Sequence, residues 1–358
     1  MLLASGAGWE CVKGDRVFLP PAGSGNSRHF FFQISNPDLV VDNDGIALCP
    51  GIRVPRKWLK KKKELRVLIV GASGFLGSQL ALGLAAHNHR NLRFVVTGLD
   101  LVRSERTLLL ENKGIEVIIG SATYPKLAMA VTKSKKPNIV VDFTQQEHSW
   151  NLEDNERTIK SLIDAACSIP STQGFFFASP NRFYIPSSRS GEKLVESLAP
   201  ELPFPIVEWR FSTVYGRYGR PDFPYYKFVD QIVHGALVPL WKQRKGRQNY
   251  IYINDAVTVM INSILSTHSI GKVNLFDIGT PWRPIPFRRV IQVIARLTNK
   301  EAKVEEAMNF NPPPWEVPYE PPTKLLLLKS YTPFETGMSS FIEWFQQNKM
   351  VVGVKDVV

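Results

Sequence analysis

Between residue 65 and residue 210 the chain repeats one pattern: a short apolar run, a turn, then a stretch with apolar residues at helical spacing. Residues 66–70 (RVLIV), 93–99 (RFVVTGL), 115–119 (IEVII), 138–143 (NIVVDF), 174–178 (GFFFA) and 205–210 (PIVEWR) read as buried strands. The segment GASGFLGSQLALGLAAH, directly after the first run, reads as a turn opening a helix. Residues 153–167 (EDNERTIKSLIDAAC) read as an amphipathic helix. Strands that alternate with helices predict an α/β fold, a Rossmann-type doubly wound parallel sheet.

Outside this region the pattern changes. Residues 1–64 show no sustained helical or alternating pattern and predict an irregular N-terminal extension, closed by the basic run Lys57 to Lys63. The Rossmann-type unit is expected over 65–215, with a small C-terminal subdomain over 216–358 packed on the same core. Within that last part NPPPWEVPYEPP (311–322 inclusive of its flanks) reads as an extended linker.

Charge and cysteine content narrow the setting. In 358 residues, 44 Lys+Arg face 32 Asp+Glu, a net charge of +12. A surface so basic favours acidic partners: nucleic acid, acidic protein surfaces or anionic ligands. Cys11, Cys49 and Cys167 are widely spaced, so they offer neither a disulfide framework nor a metal-binding pair and fit a reducing compartment, cytoplasm or organelle interior. No apolar run is long enough for a membrane-spanning helix, and the first residues lack the layout of a signal peptide.

Candidate chemistry starts at Gly71-Ala72-Ser73-Gly74-Phe75-Leu76-Gly77, between a predicted strand and a predicted helix. Gly71 suits the tight turn, Gly74 lets backbone approach a pyrophosphate, and Gly77 permits close helix–strand packing. Ser73, Phe75 and Leu76 complete the cradle, and the helix N-terminus supplies N–H donors. Asp100 ends the second strand, where a carboxylate binds ribose hydroxyls and favours NAD. Arg103 and Arg106 are the alternative, a cradle for the 2′-phosphate of NADP. Either cofactor fits this pattern, neither is required by it, and no metal site is expected.

The GxxGxxG spacing resembles the extended short-chain dehydrogenase/reductase family, the NAD-dependent epimerases and dehydratases, over roughly residues 65–349. WRFSTVYGRYGRPDFP (209–224), NYIYINDAV (249–257) and TPFETGMSSFIEWF (332–345) are similar to the UDP-glucuronate 4-epimerase branch. That resemblance implies that Thr213 and Arg220 stand where the branch holds a uronate carboxylate, a task suited to paired guanidinium donors.

The resemblance also implies a catalytic Tyr four residues before a Lys, plus a Ser or Thr that polarises the same sugar hydroxyl. If Lys193 is that lysine, the tyrosine position is Arg189 and the hydroxyl position is Pro180. A guanidinium does not act as a base. The loop from Tyr184 to Arg189, which also carries Ser187 and Ser188, is shorter than the family's. The acidic residue expected near the adenine is Ser121, and the arginine expected to meet the diphosphate is Gln248, with Arg247 beside it. The expectation is a non-catalytic relative that retains Lys193 as a cofactor-side vestige. It would serve as a structural or accessory subunit, with other protein subunits of a large assembly as partners and nucleic acid or an acidic surface nearby. The alternative is an active nucleotide-sugar epimerase or dehydratase with a relocated catalytic residue.

Overall fold

The computed structural model describes residues 32–34, 40–41, 47–48, 63–87, 91–144, 152–179, 189–241, 246–266, 273–307 and 326–349. In chain order the elements begin with three short strands, β1 (Phe32–Ile34), β2 (Val40–Val41) and β3 (Ala47–Leu48). The α/β alternation follows: β4 (Lys63–Val70), α1 (Phe75–Ala86), β5 (Leu92–Asp100), α2 (Glu105–Asn112), β6 (Glu116–Ile119) and α3 (Pro125–Lys135). It continues with β7 (Ile139–Asp142), α4 (Leu152–Cys167), β8 (Gly174–Ser179), α5 (Arg189–Leu198) and β9 (Ile206–Phe211).

The later elements have mostly shorter strands. They are β10 (Thr213–Tyr215), α6 (Pro224–Val233), β11 (Leu237–Trp241), β12 (Arg247–Gln248), β13 (Tyr250–Tyr252) and α7 (Ile253–Leu265). The rest are β14 (Val273–Ile278), β15 (Ile285–Pro286), α8 (Phe287–Thr298), β16 (Lys303–Ala307), β17 (Leu326–Leu328) and α9 (Phe334–Lys349).

Seven strands form one parallel sheet in the order β14-β9-β8-β7-β4-β5-β6. This is the doubly wound arrangement the strand–helix alternation predicts. Strand order reverses between β4 and β7, and the crevice beyond the C-terminal ends of those two strands is the ligand position of such sheets. A buried apolar layer covers each face. One includes Leu80, Leu84, Trp209, Val257, Ile261 and Ile294, and the other Leu68, Leu162, Phe175, Phe177 and Ile206. Trp209 joins the first layer to α7: its ring packs 4.9 Å from Phe176, and its indole N–H donates to Ser263 Oγ at 3.1 Å. Across β9 and β14, Arg210 and Asp277 form a buried ion pair at 2.9 Å.

Two boundaries differ from the sequence reading. The first sheet strand opens at Lys63, so the end of the basic run belongs to the sheet. The N-terminal extension is not wholly irregular: β1 adds in parallel to β17, pairing Phe32 with Leu326, and β3 contacts α1. Both follow from strand pairing between distant segments, which local patterning does not register. The expected C-terminal region also gives β14 to the main sheet, beside β9.

Candidate dinucleotide site

The glycine turn lies at the strand-order reversal. Gly71 has φ of +76°, a left-handed conformation that favours glycine. A Cβ there would also meet the Phe143 backbone carbon, which follows β7, at 3.2 Å. Gly77 packs so tightly that a Cβ would fall 2.2 Å from Gly71 O. Gly74 caps α1 with no side chain bonded to the helix end, leaving the amides of Phe75, Leu76 and Gly77 at its N-terminus.

Asp100 closes the other side of the turn. Its Oδ2 accepts the Ser73 N–H at 2.7 Å and its Oδ1 accepts the Leu101 N–H at 2.8 Å. Each carboxylate oxygen has a second lone pair, so both keep capacity for a ribose hydroxyl. The two arginines considered for a 2′-phosphate separate. Arg103, which precedes α2, is engaged in an ion pair with Glu111 of that helix. Arg106 bends over it, donating to Ser73 O at 3.4 Å. Burial lowers the Arg106 pKa, while the nearby Tyr218, Tyr226 and Tyr225 phenols oppose that shift. Uncapped amides, a backbone cradle without Cβ atoms and a terminal carboxylate together fit a dinucleotide.

Thr213 Oγ1 donates to Gln248 Oε1 at 2.8 Å, so the two positions that the resemblance implies for ligand contact bond each other. Arg220 is forked onto Asp222 through Nε at 3.0 Å and Nη2 at 2.7 Å, with its guanidinium 5.2 Å from the Phe223 ring centre. Ser121 is a local turn residue whose Oγ accepts the Thr123 N–H at 3.2 Å. Arg189 and Lys193 occupy successive turns of α5, and Lys193 is exposed. Pro180, Tyr184, Ser187 and Ser188 lie outside the described residues.

Sequence reasoning overlooked two features near these groups. Tyr218, a non-glycine residue at φ of +63°, is held against Trp344 with ring centres 5.2 Å apart. Its flanking glycines, Gly216 and Gly219, were the available signal. Asp255 is 2% exposed and accepts from Thr332 N at 2.8 Å and Thr332 Oγ1 at 3.1 Å. Burial pushes its pKa up to about 6 against the pull of those bonds. Nothing local in the sequence announces a partner 77 residues away. Among the described residues no cluster of metal-ligating side chains occurs, and no helix is long and apolar enough to cross a membrane.

The parallel sheet, its reversal point and the glycine turn define a Rossmann-type α/β protein. More narrowly, the chain belongs to the NAD dependent epimerase/dehydratase family, whose model matches residues 67–171 and 164–279. It is 24% identical over 333 residues to a probable UDP-glucuronate 4-epimerase of Rhizobium meliloti, covering 79% of this chain and 98% of that protein. An uncharacterised protein of Methanocaldococcus jannaschii is 23% identical over 327 residues, covering 80% of this chain and 98% of its own. Among solved structures, the UDP-glucuronic acid 4-epimerase of Bacillus cereus, in complex with UDP-glucuronic acid and NAD, shares the fold. Its TM-score is 0.63 at 17% identity, covering 79% of this chain and all, 100%, of that one.

Proposed function

We propose that this chain is a dinucleotide-binding, non-catalytic member of its family, acting as an accessory subunit in a larger assembly. The observation that carries the reading is α5, whose successive turns bear Arg189 and Lys193. The helix register that the resemblance assigns to a phenol and an ammonium here bears two cations, and neither a guanidinium nor its exposed neighbour removes a proton from a sugar hydroxyl. The internal bond between Thr213 and Gln248 supports the same reading from the substrate side.

NAD is the favoured cofactor. The amides of Phe75, Leu76 and Gly77 would receive its pyrophosphate and Asp100 its adenosine ribose, where a 2′-phosphate would meet the carboxylate. When bound, NAD supplies a hydride acceptor; the residues named here bind and orient it. The accessory role draws support from the net charge of +12 and from an N-terminal region that the sheet does not need.

Three measurements test this. Calorimetric titration with NAD and NADP is expected to show binding of NAD in preference to NADP, and incubation with UDP-glucuronate is expected to give no epimer. Turnover of UDP-glucuronate overturns the non-catalytic reading in favour of a relocated catalytic residue. Gentle isolation from source followed by native mass spectrometry is expected to find the chain in a large complex; a free monomer overturns the accessory role.

A further inference from the structure

A second surface, beyond the dinucleotide turn, is built around Asn249. This residue is 4% exposed and lies between β12 and β13. Its carboxamide fixes the loop after β14: Nδ2 donates to Thr280 O at 2.8 Å and Trp282 O at 3.1 Å, and Oδ1 accepts the Thr280 N–H at 2.9 Å. The loop so held presents Trp282 with 44% of its surface exposed, braced edge-on by Tyr331 with ring centres 5.8 Å apart. Tyr331 is itself tied down, its hydroxyl accepting the Leu328 N–H at 3.1 Å. An indole presented this way has little freedom left to lose on stacking.

Three cations lie on the segments that adjoin the indole. Arg283 follows it directly, Lys329 precedes Tyr331 by two positions, and Arg247 stands opposite Pro286 in the β12–β15 pair. All three are exposed, and among the described residues none has a side-chain hydrogen bond or ion pair. The three segments that build this face, 246–252, 279–291 and 326–332, contain five Lys or Arg and no Asp or Glu. Arg289 among them pairs with Glu335 of α9, so the local positive charge on which the site draws is that of Arg247, Arg283 and Lys329.

We propose that this face binds single-stranded nucleic acid. A base stacks on Trp282, and Arg247, Arg283 and Lys329 take the adjoining phosphates. A fixed aromatic platform beside unpaired cations is the arrangement by which single strands are held without sequence preference, because every base has a π-face. A purely acidic protein partner would use the cations and leave the indole unused. The inference does not rest on the non-catalytic reading, since it uses none of the residues at the glycine turn or on α5.

The test is fluorescence anisotropy of labelled single-stranded RNA and DNA, about 12 nucleotides long to match the usual site sizes, titrated with the full chain. Both strands are expected to bind, with a slope of log K against log salt of about −2, from three phosphate contacts at roughly 0.7 each. Trp282→Ala is expected to weaken binding about 5- to 100-fold, the range for loss of one stacked base. Trp282→Phe retains most of the affinity, which separates stacking from folding, and circular dichroism melts check that each variant is folded. Arg283→Ala and Lys329→Ala each lower the salt slope by about 0.7. Lys133→Ala, on α3, removes the same charge elsewhere and leaves slope and affinity near the original. Three results overturn the proposal: Trp282→Ala binding as tightly as the parent, Lys133→Ala weakening binding as much as Arg283→Ala, or binding of UDP-glucuronate with none of either strand.

Discussion

Asp255 makes the stability of this protein depend on pH in a direction opposite to that of an ordinary paired carboxylate. It lies in the first turn of α7, and its two bonds to Thr332 latch that helix to the segment leading into α9. Burial raises its pKa from 3.8 to about 6. A gap of about 2 units, at about 1.36 kcal/mol per unit, means that the fold disfavours the charged form by about 3 kcal/mol. Because the folded value is raised, the stabilisation linked to protonation is fully present below pH 3.8 and is lost as pH rises through about 6. Asp255→Asn preserves the shape and stays neutral throughout. Any fixed change in the Thr332 bonds cancels when the variant and parent are compared at two pH values. Between pH 5 and pH 7.5 the stability of the variant relative to the parent is therefore expected to rise by about 1.4 kcal/mol, one unit of the shift. Urea unfolding followed by circular dichroism at pH 5, 6 and 7.5 measures it. A difference that stays constant across that range, or falls, refutes the reasoning.

Gly74→Asp brings a carboxylate to the α1 N-terminus, where its Cβ already meets Gly71 O at 3.1 Å, and is expected to reduce NAD affinity more than tenfold by calorimetry. Unchanged affinity would locate the cofactor elsewhere. Arg189→Tyr supplies a phenol on α5 while Pro180 still offers no hydroxyl, so on the non-catalytic reading an assay with UDP-glucuronate is expected to show no turnover. Ser263→Ala strands the buried indole N–H of Trp209 and is expected to cost about 1–3 kcal/mol in chemical denaturation, with little change in ligand binding.

The sheet was legible in the sequence because parallel strands buried on both faces are nearly continuous apolar runs, as in IVVD of β7 and GFFFAS of β8. The glycine turn was legible because its backbone demands are local: a left-handed residue at Gly71 and a missing Cβ at Gly77. β14 was harder to read, since VNLFDI mixes polar and apolar residues and lies in a region rich in proline and aromatics. The links that organise the candidate site were illegible for another reason. Arg103 and Arg106 are three residues apart, yet one turns to Glu111 along α2 and the other to Ser73 across the turn. Arg103 precedes the Ser104 cap and Arg106 lies in the first turn of α2, so the two leave the backbone on either side of a helix start that only the packed molecule fixes. The Asn249 clasp on Thr280 and Trp282 likewise joins segments about 30 residues apart, with only a lone asparagine to signal it.

The pairing of β1 with β17 also has a consequence in time. Phe32 leaves the ribosome early, but its partner Leu326 is made 294 residues later. At synthesis rates of about 5–20 residues per second, the strand waits roughly 15–60 s for its mate. For that interval the segment preceding the sheet is an unsatisfied strand attached to a Rossmann unit whose own strands are already emerging. The backbone of β1 is thus without its partner strand for that interval, and the last third of the protein decides when the interval ends.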